Sequence, residues 1–195
     1  MNIVGRSIGR ITYLLLFLSI SVFAHEKEIQ EAREAAPPHI VEKASIMVWK
    51  TDKFVKVVKG SNNFVCLVLR DSKGRYEPSC LNQAAMEAIF PVYEYQTKML
   101  QLGKPIDEIY NNIDSMHKKG KFPTPKPGAL VYMMSPKNKF FDHFGNNLSD
   151  VPPHIMLYTP KISNDQLGFN GQSGLPHYYD EYPHLGVIHI NISGR

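Results

Sequence analysis

The chain is 195 residues long, with 22 basic and 18 acidic residues, two cysteines and one tryptophan. Two of the arginines fall in an N-terminal leader, so the remainder is close to neutral. That excludes the concentrated basic patch of a nucleic-acid reader, and no nucleic-acid partner is expected.

Residues 1–24 have the pattern of a secretory signal. Arg6 and Arg10 form the basic leader, Ile11 to Leu18 the apolar core, and Val22-Phe-Ala24 a small-residue cleavage site. The apolar run falls short of the ~20 residues of a membrane span. No cysteine stands at the junction to carry a lipid, and no later segment is apolar enough to cross a bilayer. The leader therefore predicts a soluble protein, periplasmic or secreted, with no stable membrane insertion after signal cleavage. It also predicts an oxidising compartment, where disulfides persist. Residues 25–39 are charged, show no apolar face and end at Pro37 and Pro38. They predict a mobile N-terminal segment.

A single globular domain is predicted over residues 40–195; about 150 residues is one ordinary domain with room for a real core. Ser45-Ile-Met-Val-Trp49, Phe54-Val-Lys-Val-Val58 and the run from Phe64 to Leu69 read as strands joined by short polar turns, a three-strand meander. The third run is apolar on both faces and rich in valine, as suits a strand buried on both sides. Trp49 reads as a packing residue.

After a polar turn from Asp71 to Arg75, Ser79-Cys-Leu81 leads into a helical pattern. Ala85, Ala88, Ile89, Val92, Gln96 and Met99 recur at three and four residues on one face. Pro91 predicts a kink there. Gly103 ends the helix and Pro105 begins a second, with Ile106, Ile109, Tyr110, Ile113 and Met116 as its stripe. Lys118, Lys119 and Lys121 cluster where they complement that helix's dipole. An oxidising compartment favours a Cys66–Cys80 disulfide over two buried thiols. It would tie a strand end to the start of the first helix and close a short loop, worth ~3 kcal/mol in the chain-entropy model.

Ala129 to Met134 reads as a fourth strand. His154 opens a fifth, Ile155 to Tyr158, and His184 opens the last, Gly186 to Ile192. Long loops lie between them, the first holding Phe140, Phe141, Asp142, His143 and Phe144; such loops are often functional. Strands, then two helices, then three further strands predict an α+β fold: a mostly antiparallel sheet of about six strands with the helices packed on one face.

The cluster best suited to chemistry is His154, His184 and His189, with Tyr178, Tyr179, Asp180 and Glu181 nearby in sequence. Histidines with a carboxylate suit Zn²⁺ or Cu²⁺, and a neutral histidine beside Asp180 or Asp142 suits a general base. No spacing matches a known signature such as His-Glu-x-x-His, so no metal or other cofactor is expected; His154, His184 and His189 are the candidates were one bound. Ser173 lies in a glycine-flanked turn without the spacing of a nucleophile elbow.

Several short motifs add to this. Phe64-Val-Cys66, Ser79-Cys-Leu-Asn82 followed by Ala84, Ala85 and Met86, Pro153-His-Ile-Met156 and Tyr182-Pro-His-Leu185 together resemble those of a family of exported bacterial proteins of unassigned function. The resemblance covers most of residues 40–192. It implies that Cys66, Cys80, His154 and His184 matter together, and it implies no particular activity. No complete catalytic set is visible. The expectation is an exported binding or interaction domain, stapled by one disulfide, for a small molecule or protein. Its binding residues would be His154, His184, His189, Tyr178 and Tyr179. The alternative is a small exported hydrolase, metal-assisted or histidine-dependent, using His154, His184 and Asp180.

Overall fold

The computed structural model describes residues 25–141, 147–160, 162–172, 174–182 and 185–192. The leader, Asp142, His143, Phe144, Ser173 and His184 lie outside the described residues. Within them no helix is long and apolar enough to cross a membrane.

Residues 25–33 form a helix, α1, and Pro38–Val41 a short second one, α2. Strands β1 (Ser45–Lys50), β2 (Lys53–Val58), β3 (Val65–Arg70) and β4 (Tyr76–Leu81) follow. Three helices come next: α3 (Gln83–Ala88), α4 (Phe90–Gln101) and α5 (Ile106–Lys118). The remaining strands are β5 (Leu130–Met133), β6 (Lys139–Phe141), β7 (Leu148–Asp150), β8 (His154–Thr159), β9 (His177–Tyr182) and β10 (Leu185–Asn191). All ten strands join one sheet, in the order β2-β1-β3-β4-β5-β8-β10-β9, with β6 and β7 attached beside β4. The fold is α+β and the sheet mostly antiparallel; the strand number exceeds the expected six.

The first three strands are not a meander. β1 pairs antiparallel with β2 but parallel with β3, so the chain crosses over β1 between them. The crossover is fixed by the segment after β2. Ser61 and Asn62 donate their backbone N–H groups to the Lys43 carbonyl at 2.8 and 3.1 Å, and the Asn62 amide donates to the Ile40 carbonyl at 2.9 Å. Gly60 sits so close to this backbone that a Cβ would stand 2.3 Å from the Ser45 nitrogen. Only glycine fits there.

β4 replaces the expected helix start. Asp71 Oδ1 accepts from the backbone N–H groups of Lys73 and Arg75 at 2.8 and 3.0 Å. This side-chain-anchored turn folds β4 back on β3 and sets Cys66 directly opposite Cys80, where the disulfide joins them. The pairing of the cysteines is as expected; the element that carries Cys80 is a strand. Pro78 is tolerated in β4 because β5 pairs only at Cys80 and Leu81, and β6 only at Tyr76. The first helix starts one residue past the strand, where the Asn82 side chain caps Ala85 N–H at 3.0 Å. Pro91, at the start of α4, divides α3 from α4 at Ile89.

Helices cover both faces of the sheet, which corrects the expected single helical layer. On one face α3 and α4 bury Leu67, Leu69, Leu81, Ala85, Ile89 and Tyr93 in the main core. α5 packs outside α4 through Ile106, Ile109 and Ile113. On the other face Ala32, Ala35, Ala36, Ile40 and Val41 cover Ile46, Val68 and the disulfide. The segment read as lacking an apolar face therefore has one, built from alanines whose small side chains did not register against the surrounding charges. Polar anchors hold it down: Arg70 pairs with Glu31, while Ser135 Oγ and Lys137 Nζ meet the Glu34 carboxylate at 2.8 and 2.6 Å.

Candidate functional site

Helix α4 lies over the β2–β3 side of the sheet, with α3 beside it over β4 and β5. Beyond it, over β5, β8, β10 and β9, the sheet face is left open to a cavity of about 250 Å³. This is just under the ~300 Å³ at which drug-sized pockets begin. Its floor is the sheet, where alternation along β8 and the register of β10 put His154, Met156, Tyr158, Val187 and His189 on one face. One wall is α4, through Tyr93 and Gln96. The other is the segment around β6, through Asn138, Phe140 and Val151.

Three histidines form a ladder across the last three strands. His189 on β10 is the register partner of His177 on the edge strand β9, and it stacks on His154 of β8. The His154 and His189 ring centroids are 5.0 Å apart and nearly parallel, at 11°. His177 and Tyr179 flank His189 at 5.4 and 5.2 Å. His154 Nδ1 lies 2.8 Å from the Pro152 carbonyl oxygen. A carbonyl only accepts, so Nδ1 carries the proton of the neutral ring and Nε2 keeps its lone pair. Burial holds His154 below its ordinary pKa against the opposing pull of the Pro152 bond. Burial, with His154 and His177 adding to it, pushes His189 down to about 3. Both rings are therefore uncharged at neutral pH.

At the opposite end sits a buried ion pair. Arg75 Nε and Nη2 lie 2.6 and 2.5 Å from Glu77 Oε2, and both side chains are almost fully enclosed. Desolvation raises the Glu77 carboxyl from its usual range, and the guanidinium beside it opposes that rise. Arg75 reaches on to Gln96 Oε1 at 3.4 Å, and Phe140 lies under the guanidinium. Burial also pushes the Tyr93 phenol well above its usual range, with Tyr158 hydrogen-bonded beside it.

Gln96 Nε2, Asn138 Oδ1 and His189 Nε2 are buried polar atoms of cavity-lining residues with no hydrogen-bond partner among the described residues. Two have their roles fixed. Arginine can only donate, so the Gln96 oxygen faces Arg75 and its NH₂ is the orphan. Asn138 Nδ2 donates to the Met133 carbonyl at 2.8 Å, so its oxygen is the orphan. Buried polar groups rarely stay unpaired, and these belong to residues that line the cavity.

Of the residues expected at a site, His154, His189 and Tyr179 line this cavity. Tyr178 does not; it alternates to the other side of β9, and its backbone is bonded to Asn164. Asp180 lies in β9. His184 and Asp142 are outside the described residues, so a His154–His184–His189 group cannot be assembled from them. Among the described residues no group of three or more His, Cys, Asp or Glu can hold a metal ion. The stacked rings of His154 and His189 present faces to each other, not converging lone pairs. Sequence reasoning missed Arg75, Glu77, Asn138 and His177. For Gln96 the signal was present: an amide in an otherwise apolar helical stripe. For Arg75 and Glu77 it was two opposite charges two residues apart, hence on one strand face. No known protein family, curated protein or solved structure matches the chain.

Proposed function

We propose that this protein is an exported binding domain whose ligand is a small organic molecule held in the cavity between α4, the β6 segment and the histidine ladder. Export is supported by the leader at residues 1–24 and by the buried disulfide. The observation that carries the binding reading is the set of unpartnered polar atoms on Gln96, Asn138 and His189 around a cavity that Met133, Phe140, Met156 and tyrosines line together with His154 and the Arg75–Glu77 pair. An apolar enclosure with a few convergent polar groups is the usual form of a ligand site.

A histidine-dependent hydrolase has less support. His154 Nε2 has the lone pair a general base needs, but among the described residues lining the cavity none is Ser, Thr or Cys, so none supplies a hydroxyl or thiol of the kind a histidine base activates in the common hydrolase pairs. The test is a ligand-observed NMR screen of one-ring fragments against the disulfide-intact protein and its Met156→Trp variant, which fills the cavity. Fragments should bind the native protein and lose binding in the variant. A screen without binders, or with binders indifferent to Met156→Trp, would overturn the proposal.

A further inference from the structure

The chemistry of the cavity narrows the class of ligand, an inference that rests on the binding reading above. We infer that the ligand is an uncharged, planar molecule whose polar edge offers both an acceptor and an N–H donor, as a carboxamide or lactam ring does.

Charge is the first argument. The one cation lining the cavity among the described residues, Arg75, is already matched by Glu77 through two contacts on one carboxylate oxygen. The imidazoles of His154 and His189 are neutral. A bound carboxylate would bring a second anion beside Glu77. A bound ammonium would bring a second cation beside Arg75. Among the described residues either would enter a desolvated space whose charges, Arg75 and Glu77, are already paired with each other, and a buried charge without a partner is strongly disfavoured.

Hydrogen bonding is the second argument. Gln96 is 2% exposed and Asn138 1%. Gln96 Nε2 is a donor without an acceptor, and Asn138 Oδ1 an acceptor without a donor. Their orientations are held by Arg75 and by the Met133 carbonyl, so neither amide can rotate to exchange roles without breaking a bond. The ligand must therefore supply one of each. An ether or ketone alone satisfies only Gln96, and an ammonium alone only Asn138. Shape is the third argument. Phe140, Tyr93, Tyr158 and Tyr179 line the cavity with aromatic rings, and a ring offset-stacked on such a lining gains contact that a branched chain does not.

The test uses three probes of one shape and three charges: nicotinamide (neutral amide), nicotinate (carboxylate) and 3-picolylamine (ammonium at neutral pH). Toluene is the apolar control. The readout is the ¹³C-methyl methionine spectrum of the disulfide-intact protein at pH 7.4. Met133 and Met156 line the cavity, and Met99 and Met116 sit in the separate α4–α5 cluster. Nicotinamide should shift Met133 and Met156 saturably and leave Met99 and Met116 still, with nicotinate and 3-picolylamine at least about tenfold weaker. Gln96→Glu keeps the acceptor that Arg75 uses and removes the donor. It should weaken nicotinamide by about tenfold or more and favour 3-picolylamine instead.

Tighter binding of either charged probe would overturn the ligand class and leave the binding site standing. So would shifts with toluene but not nicotinamide. Undiminished nicotinamide binding in Gln96→Glu would overturn the assigned role of Gln96. If no probe moves Met133 or Met156, both the class and the underlying binding reading fail.

Discussion

Acid should destabilise this protein through His189 in particular. Its imidazole lies against His154 on β8 and against His177 and Tyr179 on β9, with Arg75 and Glu77 across the cavity. Burial and the two neighbouring histidines hold it down to about 3, from an ordinary value of 6.5. The sign follows from which state takes up the proton. Below pH 6.5 the unfolded chain protonates this ring and the folded one does not, so the unfolded state binds more protons and gains as pH falls. The contribution is complete above 6.5 and drains away down to about 3. Between pH 6.5 and 5 the difference amounts to about 2 kcal/mol, at 1.36 kcal/mol for each unit. His154 pulls in the same direction, and the raised Glu77 carboxyl in the opposite one. The clean measurement is therefore a comparison. Urea unfolding followed by circular dichroism, at pH 7 and pH 5, should show the native protein losing about 2 kcal/mol more than His189→Gln. The remaining groups are common to both proteins. Equal losses would mean that His189 titrates normally, and the account of a dry, neutral histidine pair would be wrong.

Three further outcomes follow from the packing. Removing the disulfide as Cys66→Ala, Cys80→Ala should lower stability by about 3 kcal/mol, read as a shift in the urea midpoint, since the bridge spans 14 residues and its register is already set by β3 and β4. Non-reducing peptide mapping should find the two cysteines joined in the native protein. Glu77→Gln removes the carboxylate charge bonded to the buried Arg75 guanidinium and should cost about 3–5 kcal/mol by calorimetry, well above the cost of replacing both residues together with apolar ones. Gly60→Ala drives a methyl into the Lys43–Ser45 backbone; a loss of about 1–3 kcal/mol and faster hydrogen exchange at the β1–β3 pairing should accompany it.

The sequence was most legible where one physical signal dominated. The 3.6-residue stripe of α5, the glycine stop at Gly103 and the strand run from Val65 to Leu69 lie close to where the patterns put them. β9 was hidden because His177-Tyr-Tyr-Asp-Glu-Tyr182 has no apolar alternation, and an edge strand needs little. β4 was hidden because Arg75, Glu77 and Pro78 suggest a turn or a helix start; their pairing offsets the cost of burying Arg75 and Glu77. The crossover of β1 was invisible for another reason. It depends on contacts from Asn62 and Gly60 back to residues 40–45, and no local pattern encodes them. Half of the site was visible in the same way. His154 and His189 could be flagged by residue type, whereas Gln96 and Asn138 acquire their meaning from bonds that leave one atom of each amide over.

The place of the disulfide also sets an order of events. Cys66 and Cys80 are wholly enclosed, with Ala32, Ala35 and Ala36 packed in the same cluster. An oxidant cannot reach the thiols once that alanine face has settled. The bridge must close while β3 and β4 are paired and α1 is still away from them. The segment of α1 and the turn after it is thus among the last parts to dock, and its latch of Glu31 and Glu34 onto Arg70, Ser135 and Lys137 seals a bond already made. A protein kept reduced until α1 has closed would be trapped with its thiols out of reach.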